Sequence, residues 1–124
     1  MKTIILAFTL CLFISNAFTQ NEVPKEPLFI KVPGFADPEV KSFYQSYADH
    51  LIKCIRKIRE KNEPKTRALF KSPGEQLVAR EKKLSKDVVK NTVEKQKYIE
   101  FAAQVYPYLK EVEQSEYYKK MYGK

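Results

Sequence analysis

His50 and Cys54 stand four residues apart, and this is the one spacing in the sequence that could set up nucleophilic or metal chemistry. On a helix, residues i and i+4 share a face, so an imidazole there could activate a thiolate or supply half of a zinc site. The rest of the inventory argues against both. His50 is the sole histidine, Cys11 is the only other cysteine, and a zinc ion asks for three or four protein ligands. No glycine-rich phosphate loop is present either, in a chain with only 3 glycines. The expectation is a non-catalytic protein, with no catalytic residues, no metal and no cofactor. Cys54 lies between Leu51 and Ile58 in an apolar stripe, where a small buried thiol belongs. A second reading of Cys54 is an intermolecular disulfide joining a homodimer.

That second reading depends on compartment, which the N-terminus addresses. Met1-Lys2 is followed by an apolar run from Ile4 to Ile14, broken by Thr9, and Ser15-Asn16-Ala17 then offers small residues at a cleavage site. This is the pattern of a secretory signal peptide over residues 1–17. At about 11 residues the run is roughly half of what a membrane span needs, so the chain is expected to be secreted and extracellular. Cys11 leaves with the signal, and Cys54 remains alone in an oxidising compartment. No Asn-x-Ser/Thr sequon is present, and N-glycosylation is not expected.

The elements that would position these groups read as helices. The chain has 124 residues, 44% hydrophobic and 31% charged, which fits a single folded domain rather than a disordered chain. Residues 18–37 carry Pro24, Pro27 and Pro33 among apolar Leu28, Ile30 and Phe35, and read as a proline-rich extended arm laid over the domain. Residues 38–124 form the helical domain. Asp37 is an N-cap, Pro38 opens the first helix, and Val40, Phe43, Tyr44, Tyr47, Leu51, Ile55 and Ile58 repeat at helical spacing to about residue 60, where Pro64 is expected to stop it. A short helix is expected over 64–71. A capping box from Ser72 to Glu75 should open a long helix from about 73 to 105, bent near 91–97, with Glu81 interrupting its apolar stripe. Pro107 should end or kink it, and residues 108–122 should form a last, frayed helix. The fold class is therefore all-α, a small three- to four-helix bundle with an extended N-terminal arm.

The net charge of +8 is concentrated in the middle of the chain. Residues 18–49 carry a net charge of minus two, 50–97 plus nine, and 98–124 zero. Arg56, Lys57, Arg59, Lys82, Lys83, Lys86, Lys90 and Lys97 make a candidate basic surface able to attract anionic membranes or glycosaminoglycans. The plainer reading is a solvated lysine face, offset locally by Glu81, Asp87 and Glu94. Nucleic acid is not expected as a partner, since no zinc-finger spacing or RNP-type aromatic motif accompanies the charge. Phe43, Tyr47, Leu51, Leu84, Val88 and Tyr106 make a candidate binding groove between helices. Tyr98, Tyr106, Tyr108, Tyr117, Tyr118 and Tyr122 crowd the C-terminal part, either sealing the core or facing a partner. The expected function is thus a secreted binding or interaction protein, carrying a hydrophobic small molecule or engaging an extracellular protein partner. The alternative is a cationic effector that binds anionic surfaces.

Overall fold

The computed structural model describes residues 28–123. The proposed signal segment and residues 18–27 of the arm lie outside them. Among the described residues the fold is all-α, with three long helices and two of seven residues: α1 (Pro38–Arg59), α2 (Glu63–Leu69), α3 (Glu75–Val88), α4 (Thr92–Gln114) and α5 (Glu116–Tyr122). No described helix is long and apolar enough to cross a membrane.

Helix α1 starts as its sequence requires. The Asp37 carboxylate accepts the backbone N–H of Glu39 at 2.8 Å, and Pro38 occupies the first turn. Its buried side is Val40, Phe43, Tyr44, Tyr47, Ala48, Leu51, Cys54 and Ile55. Its end is set differently from the expectation. Lys61 adopts a left-handed φ of 59°, its N–H reaches the Ile58 carbonyl at 3.0 Å, and the Asn62 N–H reaches that of Lys57 at 3.0 Å. This is a Schellman closure with lysine where glycine is usual. Pro64 does not stop α1; it lies in the first turn of α2, which Asn62 caps by accepting the Lys65 N–H.

Three more boundaries depart from the sequence reading. Ser72 is extended (φ −148°, ψ 120°) ahead of a cis Ser72–Pro73 bond, and Gly74 precedes α3 without any side-chain cap. The expected capping box is not formed, because Glu75 instead accepts the Tyr122 hydroxyl at 2.8 Å. The single helix over 73–105 is two helices. Asn91 breaks it by accepting the backbone N–H groups of Val93 and Glu94 at 2.9 and 3.0 Å, a stronger local arrangement than continuing an exposed helix through asparagine. Pro107 does not end α4, which runs on through it to Gln114. Buried Phe101, Ala102 and Val105 before it, and Tyr108, Leu109 and Val112 after it, hold both halves in place despite the hydrogen bond that proline removes. Ser115 then caps α5 through the Tyr118 N–H.

Helices α3 and α4 fold back on each other, since Glu81 and Tyr98 on either side of the turn meet at 3.0 Å. Helix α1 lies against α4, and α5 against α2 and α4. The core between α1 and α4 is aromatic: Tyr44 touches Phe43, Tyr47, Tyr98 and Phe101 with ring centroids 4.9 to 6.3 Å apart. Phe35 of the arm stacks on Tyr44 at 5.2 Å. Edge and tilted contacts of this kind add to the burial of the rings themselves.

Candidate functional site

The His50–Cys54 pair forms as its spacing suggests, with Cys54 Sγ 3.4 Å from His50 Nε2. Its surroundings deny it reactivity. Cys54 is 2% exposed, and burial pushes its thiol up to about 12. Burial, with Lys53 nearby, pushes His50 down to about 4, so near neutral pH a neutral imidazole faces a protonated thiol. No group of three His, Cys, Asp or Glu side chains that could hold a metal exists among the described residues. The candidate Cys54 disulfide meets the same obstacle, because a sulfur enclosed in the core cannot approach within the few ångströms that a bond to a second chain requires.

Beside this pair lies an apolar cavity of about 40 Å³, lined among others by Tyr47, Leu51, Phe70, Val112 and Tyr118. An engineered cavity that takes up benzene is roughly 150 Å³, so this space suits a group no larger than one or two waters. Of the six candidate groove residues, only Tyr47 and Leu51 border it. Phe43, Tyr47, Leu51 and Val88 are buried, and Leu84 and Tyr106 are half-buried against them. They fill the space between helices.

A centre that the sequence presents as an interruption of the stripe and a surface partner for lysines is Glu81, 1% exposed in the core. Tyr98 and Tyr44 donate their hydroxyls to its Oε2 at 3.0 and 3.4 Å. Burial pushes the carboxyl up to about 7, against the opposing pull of those two hydrogen bonds. The tyrosine hydroxyls are pushed well above their ordinary range, chiefly by burial. Glu113 is also pushed up to about 7 by burial. A polar residue on the apolar stripe of α3, opposite a tyrosine-rich α1, was the available signal.

The inward turn of Glu81 changes the charge of the surface. Lys82, Lys83, Lys86 and Lys90 are exposed on the outer side of α3 and the turn after it, while Arg80, also exposed, lies over the Phe43 ring of α1 at 5.1 Å. Of the carboxylates expected to offset them, Glu81 is in the core, Glu94 pairs with Lys97 at 3.1 Å, and Asp87 pairs with Lys90 at 3.4 Å. Lys82, Lys83 and Lys86 make no ion pair among the described residues. The other candidate basic residues divide from them. Arg59 holds Glu111 of α4 through two hydrogen bonds at 2.9 and 3.0 Å, and Lys57 pairs with Glu60. Lys97 also donates to the Gly34 carbonyl of the arm, and Arg56 borders a surface hollow with Phe29 and Asp49. The expected belt is therefore one free cationic helix face and several structural ion pairs. Comparison with protein-family models, with curated proteins and with solved structures gave no match to this chain.

Proposed function

We propose that this is a secreted, non-catalytic binding protein whose outer α3 face engages an anionic extracellular surface, either sulfated polysaccharide or anionic lipid. The observation that carries this reading is the direction of Glu81: with that carboxylate in the core, four exposed lysines, Lys82, Lys83, Lys86 and Lys90, face a single exposed carboxylate, Asp87, along the outer α3 side. Like charges held on one rigid face raise the local potential and attract polyanions. The carrier reading has less support, since the space between the helices is occupied by aromatic side chains, the apolar cavity beside His50 and Cys54 is about 40 Å³, and the larger hollows at Phe43 and at Phe29 are surface depressions bordered by charged side chains.

The test is retention on heparin and co-sedimentation with vesicles containing anionic lipid. Binding should weaken steeply between about 0.1 and 1 M salt, over which the screening length falls from roughly 10 to 3 Å. The triple variant Lys82→Glu, Lys83→Glu, Lys86→Glu should lose it at low salt. Absence of binding to either material at low salt, or binding indifferent to salt, refutes the reading.

A further inference from the structure

The arm is held in an unusual way. Along α4, Glu94, Lys97, Gln104 and Tyr108 are spaced by three, seven and four residues and so fall on one stripe. All four bond main-chain atoms of the arm. Glu94 accepts the Ala36 N–H at 3.0 Å, and Lys97 donates to the Gly34 carbonyl at 2.8 Å. Gln104 accepts the Lys31 N–H and donates to the Lys31 carbonyl, both at 2.7 Å. The Tyr108 hydroxyl does the same for Phe29, at 3.2 and 3.1 Å. Six hydrogen bonds thus grip an extended segment by its backbone. Side chains supply the register: Leu28, Ile30 and Phe35 are buried, while Phe29 between the first two is 69% exposed. This is the logic of extended-peptide recognition, with main-chain bonds for hold and alternate pockets for specificity, built on a helix instead of a sheet edge.

We propose that the α4 stripe is a binding site for an extended peptide, and that a second copy of this chain supplies it, residues 28–36 of each copy replacing those of the other. The arm is the one segment shown to satisfy all six bonds and the apolar positions, and an identical arm satisfies them equally in trans. What separates the closed and exchanged forms is the short connection at exposed Ala36 and Asp37, where the chain leaves α4 and enters α1. Exchange of an identical element costs little where only such a hinge changes. Phe29, one of two large hydrophobic side chains that the described residues leave exposed, rides on the exchanging segment, beside a hollow bordered by Ile52 and Arg56. The inference is independent of the α3 reading.

A short tether gives the resident arm an effective concentration of the order of 1 mM, so the protein should be monomeric at about 10 μM and form dimers as its concentration nears that value. Native mass spectrometry of a mixture of light and isotope-labelled protein, incubated near 1 mM, should show mixed dimers. The Gln104→Ala, Tyr108→Phe double variant removes the same bonds from the closed and the exchanged form, so its use is to free the arm from its own seat. Complementation is the sharper arm of the test. Ile30→Asp spoils the arm and leaves the seat intact; the double variant spoils the seat and leaves the arm intact. Each alone should stay monomeric, while the mixture should form a one-to-one heterodimer at lower concentration than the wild type, because no resident arm competes. Three results overturn the proposal: wild-type protein that stays monomeric near 1 mM, a mixture of the two variants that forms no one-to-one heterodimer, or a wild-type chain that binds a synthetic 28–37 peptide at its α4 stripe yet never exchanges its own. The first and third use the unaltered chain and do not depend on any variant folding.

Discussion

Replacing Glu81 by glutamine should make the protein more stable at alkaline pH and remove a large part of the pH dependence of its stability. The neutral acid and the amide have the same shape, and both offer the oxygen that accepts the Tyr98 and Tyr44 hydroxyls. Only the acid can ionise. Its folded-state value of about 7 lies above the ordinary 4.5, so between those values the folded chain holds a proton that the unfolded chain has released. Stability contributed by the protonated carboxyl is then fully present below about pH 4.5, is lost as pH rises through 7, and changes no further above it. At roughly 1.4 kcal/mol per pH unit, the full loss is about 3 kcal/mol, of which 2 to 3 should fall between pH 5 and pH 8. His50 acts in the opposite sense, its stability being lost as pH falls from 6.5 through about 4, and Glu113 acts in the same sense as Glu81. Comparing wild type with Glu81→Gln cancels both. Urea unfolding followed by circular dichroism at pH 5, 6, 7 and 8 gives the free energies, and the gap between the two proteins should widen with pH by the stated amount. Parallel curves across that range would refute the buried, ionisable Glu81 on which the reasoning rests.

Three further outcomes are expected. Lys61→Gly should raise stability by about 1 kcal/mol, since glycine takes the left-handed conformation without the strain that a Cβ adds there; an unchanged or lower midpoint in thermal unfolding would count against the Schellman closure. Gly74→Ala should destabilise by about 1 to 3 kcal/mol, because a Cβ there would stand 2.7 Å from the Leu69 carbonyl oxygen, in backbone that cannot swing aside. Cys54 should react with a thiol-specific chromogenic disulfide only at the rate of unfolding, and non-reducing electrophoresis of freshly purified protein should show no cross-linked dimer; rapid labelling of the native protein would mean that the thiol is reachable.

Much of the helical frame was legible because its signals are local. Asp37-Pro38 and the apolar stripe after it define α1 within a few residues, whereas the division at Ser115 falls inside the single helix expected over 108–122. The divisions that were missed turn on competition between local and distant effects. Asn91 is compatible in sequence with a continuing stripe, yet its side chain takes two backbone N–H groups. Pro107 reads as a stop, yet burial on both sides carries the helix across it. Glu75 has the spacing of a cap partner but meets a tyrosine 47 residues away. The candidate sites follow the same division. That Glu81 breaks an apolar stripe is visible in the sequence; that Tyr44 and Tyr98 converge on it, 37 and 17 residues distant, is not. The charge excess of the middle segment was countable, but which lysines stand free required knowing where each carboxylate points.

The backbone grip on the arm also bears on how the sequence can drift. Phe29 and Lys31 are held by their main-chain atoms while their side chains face outward, so these positions can be rewritten to any residue except proline with the arm still seated. Leu28, Ile30 and Phe35 lack that freedom. The segment is therefore a natural place to graft a short variable epitope: its outward positions can carry a new message while the inward ones keep the address.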